Sequence, residues 1–471
     1  MESEETLEAS VDRVNAWVLS RLTTLNHGIL ARKYPAGSFG TELAGAVLGD
    51  LPAPGAFTVE QAQRMVVLLG LAGASLSRHY QEGDVTRRGT PERAFDAFPV
   101  GRARIPFRTY FGELTNRTGT GHCHRDSYAS LVRWNAPTSE VWWSGERLAV
   151  LPGVFDDGLV RTYTGASDER RFFELVKVSE TLELAANAVL APVLETTVDA
   201  RDDEARRRIL IAAIVLEALR RVNARFAALP PEASMRPNHF MDVFRQFAVH
   251  WTRGDVPPSG ALDPEAISRD FILGTTTPAY LTHLDRLLPA LLTDEREAVG
   301  RLRAGPSLPE VVLRQARLDR STLVEASRDQ LRAMVGRHPV LAALYLLLNA
   351  HARVSGVHLL LAKKFLFAPQ SHRETGGLGD PGVVSNRRGT TGMDETFLEE
   401  LTRERHRHGL AMLRRVGMAE LVSVAGIAAV RREAPADVTD LVRLIVPDAR
   451  ANGPDRALTG TRWGPDDEAR S

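Results

Sequence analysis

Residues 339–367, "PVLAALYLLLNAHARVSGVHLLLAKKFLF", decide how the rest of the chain is read. Apolar side chains recur at intervals of three and four over the whole stretch, and a proline opens it where helices tolerate one. Five earlier stretches show the same period: 168–200, 204–228, 234–252, 263–294 and 309–336. Strand-like alternation almost disappears after residue 166. Turns such as "LPPEAS" and "GDVPPSGALD" join the segments. The expected fold is mainly α, with a large antiparallel helical lobe over 167–431.

Working outward toward the N-terminus, residues 1–166 read as a smaller, less regular lobe. Helix-like periods up to about Tyr80 are broken by Gly and Pro, and the stretch 87–128 has no sustained period. Short strands or ordered loops are expected through Trp142 and Trp143 to Pro152. Toward the C-terminus, "APQSHRETGGLGDPGVVSNRR" (368–388) reads as a mobile loop, and a helix should begin near Asp394. Residues 432–471 read as an extension ending in a disordered tail. No internal repeat is visible.

The charge balance, 59 basic against 59 acidic side chains, gives no net field to attract nucleic acid or an anionic membrane. A single cysteine, Cys123, rules out an internal disulfide, and no His/Cys cluster has the spacing of a structural zinc site. The acidic start "MESEETLEAS" is opposite in order to a secretory signal, and the longest apolar runs fall short of a membrane span. A soluble, cytoplasmic protein is expected, with neither a nucleic-acid nor a membrane partner.

His351 and His358 lie two helical turns apart and share one face. A histidine on an apolar face is ordinarily a core side chain with its hydrogen bonds satisfied. Burying two of them requires partners for up to four ring nitrogens, or something that coordinates one. A helical bundle is a common place for a cofactor pocket, and a lone neutral imidazole is an ordinary axial ligand of haem iron. A zinc or di-iron site would need more converging ligands. The "HCH" at 122–124 has the same two readings, a loop or a metal ligand set, and the loop is the ordinary one.

"VHLLLAKKFLFAPQ", a Gly-rich loop and then "RGTTGMDETFLEEL" resemble the proximal segment of the indoleamine 2,3-dioxygenase family. The resemblance covers roughly residues 168–412. Two more segments agree in order. "RPNHFMDVFRQFAVHW" resembles the family's distal helix, with Phe240 and, five positions on, Arg245; "RRFFELVKVSETLE" resembles the helix with paired Phe172 and Phe173 over the haem. "ILGTTTPAYLTHLD" falls where the family has a small-residue turn.

The resemblance implies haem b with His358 as the iron ligand, and Gly274 and Lys364 beside the cofactor. It also implies a catalytic and substrate pocket made by Phe172, Phe173, Phe240, Arg245, Thr275, Thr390 and Thr391. The implied function is a haem-dependent dioxygenase that opens the indole 2,3 bond of tryptophan or an indole derivative with O2. The implied partners are thus an aromatic amino acid or indole and O2. An alternative within the same superfamily is a biosynthetic haem enzyme that rearranges or hydroxylates a modified tryptophan or tyrosine. A non-catalytic haem- or gas-binding protein is the reading from another class. Three departures stand out. The family's Gly-Thr-Gly-Gly is "GTTG" here, with Thr391 in a glycine's place; Ser355 replaces an arginine; and Val176 replaces a small polar residue.

Overall fold

The computed structural model describes residues 4–119, 124–377, 382–386 and 388–445. Helix accounts for 67% and strand for 4%, so the mainly α class holds. α1 (Val59–Glu82) packs behind the site, and five helices line it: α2 (Ser167–Leu194), α3 (Asp203–Ala228), α4 (Pro264–Ile272), α5 (Pro339–Ala362) and α6 (Glu395–His406). α3 packs on both α2 and α5, and α6 lies along α5.

The N-terminal part is more regular than its sequence suggests. α1 starts at a capping box, with Thr58 accepting from Gln61 N–H at 3.2 Å and the Gln61 side chain accepting from Thr58 N–H at 3.1 Å. It is buried around nearly its whole circumference, including Arg78 at 1% exposure. Gly73 matters here: a Cβ would lie 2.3 Å from the Trp251 ring, which packs at a tilt against Phe95 and Phe107 and edge-on to Phe111.

A small antiparallel sheet covers one side. β1 (Ser139–Trp143) lies between β2 (Glu146–Leu151) and β3 (Val442–Leu444), in the order β2-β1-β3. β3 thus ties residues beyond 431 to the N-terminal part, and one buried apolar cluster runs from Leu7 to Val442. The tail expected beyond residue 445 lies outside the described residues.

Three long helices expected from periodicity are broken. The 263–294 segment stops after Ile272, because Gly274 takes φ +63 and Pro278 opens a new helix, Pro278–Leu287. The 309–336 segment becomes Leu308–Gln315, Arg320–Glu325 and Arg328–Arg337, with Arg317 at φ +55 in the first break. The 234–252 segment is helical only over residues 237–247, then irregular. α1 takes carbonyls from both parts: Arg78 Nη1 donates to Val243 O at 2.6 Å and Gln81 Nε2 to His250 O at 2.8 Å.

Elsewhere helix replaces an expected loop. α5 continues through a π turn (Lys363–Phe367) into Ala368–Thr375, so the first part of the supposed mobile loop is helical. The wider turn just before Pro369 lets the helix pass a residue with no N–H. The continuous run Pro339–Thr375 is long and apolar enough to cross a membrane by length and composition, yet 72% of its most apolar window is buried in the fold. Its apolar character is that of a core helix. Asp394, as expected, caps α6 by accepting from Phe397 N–H at 2.9 Å.

Candidate functional site

A cavity of about 380 Å³ opens between α2, α3, α4, α5, α6, the 240–248 segment and the 389–393 turn. That lies within the range of small-molecule sites. Phe172, Val176, Ser179 and Glu183 line it from successive turns of α2, and Ser355, His358 and Ala362 do so from α5. The rise of a helix makes the wall from Phe172 to Glu183 about 16 Å long. Phe172 and Phe365 both approach Phe240, at 5.5 and 6.1 Å between ring centres. The two helices therefore run in opposite directions along an elongated slot, with an aromatic end and an ionic end.

His358 sits between them on the slot wall, its ring exposed to the cavity. Neither nitrogen has a hydrogen-bond partner among the described residues. Burial, with Arg405 and Arg269 nearby, pulls its pKa down to about 4, so the imidazole is neutral near pH 7 and offers a lone pair. His351, two turns earlier, is held through one ring nitrogen, while its Nδ1 is buried without a partner. It is fully buried, and its Nε2 lies 3.2 Å from Asp270 Oδ1 and 3.1 Å from Thr275 Oγ1. Despite burial, Arg405 and His351 hold the Asp270 carboxyl well below the usual range. Of the pair, His358 alone faces open space.

Local backbone geometry builds the aromatic end. Five residues on an ordinary α-helix place side chains about 140° apart. Here the turn is a π turn, with Arg245 N–H bonded to Phe240 O, and both side chains reach the cavity wall. Phe172 and Phe173 each meet Phe244 edge-on at 5.3 Å. Arg245 donates to Asn386 Oδ1 at 3.2 Å and to the Arg388 carbonyl, while Gln246 Oε1 accepts from Val384 N–H at 2.8 Å. Arg245 therefore fastens the segment that leads into the 389–393 turn. In that turn Gly392 takes φ +93, whereas Thr391 does not need the left-handed region. A threonine is thus tolerated in the "GTTG", and Thr390 and Thr391 both line the cavity.

Sequence reading missed the ionic end, where Tyr128, Glu183, Asp263, Arg269, Asp270, Tyr280 and Arg405 line the slot. Glu183 Oε1 accepts from Arg269 Nη1 at 2.6 Å, and Asp270 Oδ2 accepts from Arg405 Nη2 at 2.5 Å. Arg405 Nη1 also donates to Ser355 Oγ at 2.9 Å, so a cation from α6 stands beside the residue that replaces an arginine in the resembled pattern. Tyr128 OH lies 3.2 Å from both Glu180 Oε2 and Asp263 Oδ2. Behind them Arg133 pairs with Glu180, with Glu265 at 3.4 Å and with Glu295 at 2.5 Å. Burial raises Glu180 to about 8 and Glu295 to about 7, against the opposing pull of Arg133. A signal was present on α2. Lys177, Glu180 and Glu183 fall at helical intervals among Phe173, Val176 and Leu182, where a solvated face would not put them.

Three expected site residues lie elsewhere. Lys364 turns its ammonium to the end of α3, donating to Ala227 O at 2.7 Å and Leu229 O at 3.0 Å, because those terminal carbonyls lack helical partners. Gly274 abuts Ser307, whose Oγ would lie 2.9 Å from an added Cβ, and does not line the cavity. Thr275 is behind the wall, bonded to His351. Trp143 is a packing residue whose Nε1 donates to Glu433 at 3.2 Å. His122 and Cys123 lie outside the described residues. Among the described residues, no group of three or more His, Cys, Asp or Glu side chains could hold a metal ion.

No family model matches the chain, and no curated protein matches it.

Proposed function

We propose that the slot is the active site of a haem-dependent oxygenase acting on tryptophan or an indole derivative. The observation that carries this reading is His358. It is a neutral imidazole with both nitrogens unpartnered, it fronts a deep cavity, and a wall of four phenylalanines rises beside it. That donor fits the one protein bond that haem iron requires, and the apolar wall fits a planar aromatic group.

In this reading His358 holds the iron of haem b. The group, when bound, supplies the redox centre that lets O2 react with an electron-rich ring, with opening of the indole 2,3 bond to an N-formylkynurenine-type product. The protein's own contribution is placement. Phe172, Phe173 and Phe240 hold the substrate ring by stacking and exclude water. Thr390 and Thr391 offer hydroxyls to its polar atoms, and Arg245 keeps their turn against the cavity.

One observation favours the alternative, a biosynthetic haem enzyme for a modified tryptophan. Arg245 is already bonded to Asn386 and Arg388, and the far end of the slot is rich in acids rather than in free cations. A carboxylate therefore has a weaker claim on this site than the family resemblance implies. The testing experiment is an ultraviolet-visible spectrum of protein produced with ample haem, before and after L-tryptophan. An intense Soret band that shifts with tryptophan supports the first reading; a band indifferent to tryptophan but shifted by an amine-bearing indole supports the alternative. A colourless protein removes both.

A further inference from the structure

We infer that Tyr163 is a specificity-determining residue at the aromatic end of the slot, its phenol reading a hydroxyl borne on the ring of the bound ligand. The inference rests on the slot taking an aromatic ligand, and not on haem.

Tyr163 stands in the loop between β2 and α2, and its backbone is fixed on both sides. The buried Glu169 carboxylate accepts its N–H at 2.7 Å, and its carbonyl accepts from the buried Asn26 amide at 2.8 Å. The ring is fixed as well. It stacks on Phe247 at 4.2 Å with the planes 1° apart, and its centre lies 6.1 Å from that of Phe244. A side chain locked by packing in this way presents its polar atom in one place.

Only 2% of Tyr163 is exposed, and the residue lines the slot. A buried tyrosine ordinarily finds a partner for its O–H. Tyr110 donates to Pro52 O at 2.7 Å, and Tyr128 OH lies 3.2 Å from two carboxylates. The Tyr163 hydroxyl has no partner among the described residues, yet its oxygen is not sealed in the core. The surface it keeps opens on the slot. Burial holds the phenol's pKa well above its usual value, so near pH 7 it remains an O–H with a hydrogen to give and lone pairs to receive.

The position belongs to the ligand side of the slot. Ring centres run Phe365, Phe240, Phe244, Tyr163 in steps of 6.1, 6.0 and 6.1 Å, a chain that leads away from the end of α5. Tyr163 is therefore approached across Phe244, the ring that Phe172 and Phe173 also meet, and the place of the iron at His358 stays clear. What suits the phenol follows from its surroundings. An anion there would need a counter-charge, and Arg245 at this end is bonded to Asn386 and Arg388. An apolar ring edge would strip water from the phenol and return nothing. A ring hydroxyl is neutral, and it can both donate and accept.

The test is calorimetric titration of the purified full chain, with and without haem, using indole and the isomeric hydroxyindoles that carry the oxygen on the benzene ring. The best of these should bind about three- to tenfold tighter than indole, the yield of one added hydrogen bond. Tyr163→Phe removes the oxygen alone and keeps the stack on Phe247. It should unfold at a midpoint close to that of the wild type and bring the preferred hydroxyindole down to the affinity of indole. A wild type without preference, or a preference that survives in Tyr163→Phe, overturns the assignment while indole binding preserves the aromatic slot. A preference seen in protein that shows no Soret band removes the haem reading and leaves this one standing. Failure of every one of these rings to bind overturns both.

Discussion

The two ends of the slot are built on opposite principles, and the difference shows why one was legible and the other was not. At the aromatic end a few phenylalanines from α2 and the 240–247 turn pack edge-on or tilted, and each would bury its ring in almost any partner. At the ionic end acids and bases from five separated segments must meet in exact pairs, since a buried charge without its partner is costly. Arg133 and Glu295 are 162 positions apart in sequence. Aromatic packing tolerates approximate geometry; charge pairing does not.

The sharpest division between the two ends is His358 itself. His358→Ala should abolish the Soret band of haem-loaded protein, whereas His351→Ala should retain it and lose about 2–4 kcal/mol of stability as Asp270 and Thr275 lose a buried partner. Equal haem content in both variants would sink the assignment of His358.

Next in size is the stability contrast between the ends. Arg133→Met leaves Glu180, Glu265 and Glu295 without their common cation and should cost about 3–5 kcal/mol in denaturant unfolding. Phe172→Ala, at a half-buried site already beside a cavity, should cost only about 1–2 kcal/mol while weakening indole binding. Comparable losses would mean that the ionic end is no more demanding than ordinary packing.

The pH dependence of stability should also divide. Burial raises Glu180 to about 8 and Glu295 to about 7, so the folded protein holds protons that the unfolded chain releases. Their contribution is full below the ordinary carboxylate pKa and is lost as pH rises through about 7 to 8. His351 and His408, both lowered to about 4 chiefly by burial, act in the opposite sense. Their contribution is full above the ordinary histidine pKa and is lost as pH falls toward 4. Stability measured against pH should pass through a maximum between these limbs, and Glu180→Gln should flatten the alkaline limb alone. An unchanged alkaline limb in that variant would exclude Glu180 as its source.

The smallest expected effect concerns Arg245. Because its guanidinium is bonded to Asn386 and Arg388, Arg245→Met should speed amide exchange in residues 388–393, with a stability change of about 1–2 kcal/mol. Weakened binding of indole-3-propionate with no change in exchange would instead make Arg245 a carboxylate site.

The sequence carried the helical identity of α2, α3 and α5, because an apolar face in water must repeat every three to four residues. It also separated His358 and the three phenylalanines as candidates, and all four line the slot. Lys364, Gly274 and Thr275, taken from the resemblance, lie off the slot, since a matched segment does not say which way a long side chain turns or which neighbour fills a gap. The sequence showed helix-like periods as far as Tyr80, and the structure resolves these into separate helices, α1 (Val59–Glu82) the longest of them. Only the tertiary structure decided that Phe240 and Arg245 share a wall, because a π turn there replaces an α turn. Only it decided that Arg405 stands beside Ser355 and that Glu183 pairs with Arg269. Hydrophobic burial is non-directional and leaves a periodic mark on local sequence. Hydrogen bonds and ion pairs are directional, and their partners come from wherever the packed helices deliver them.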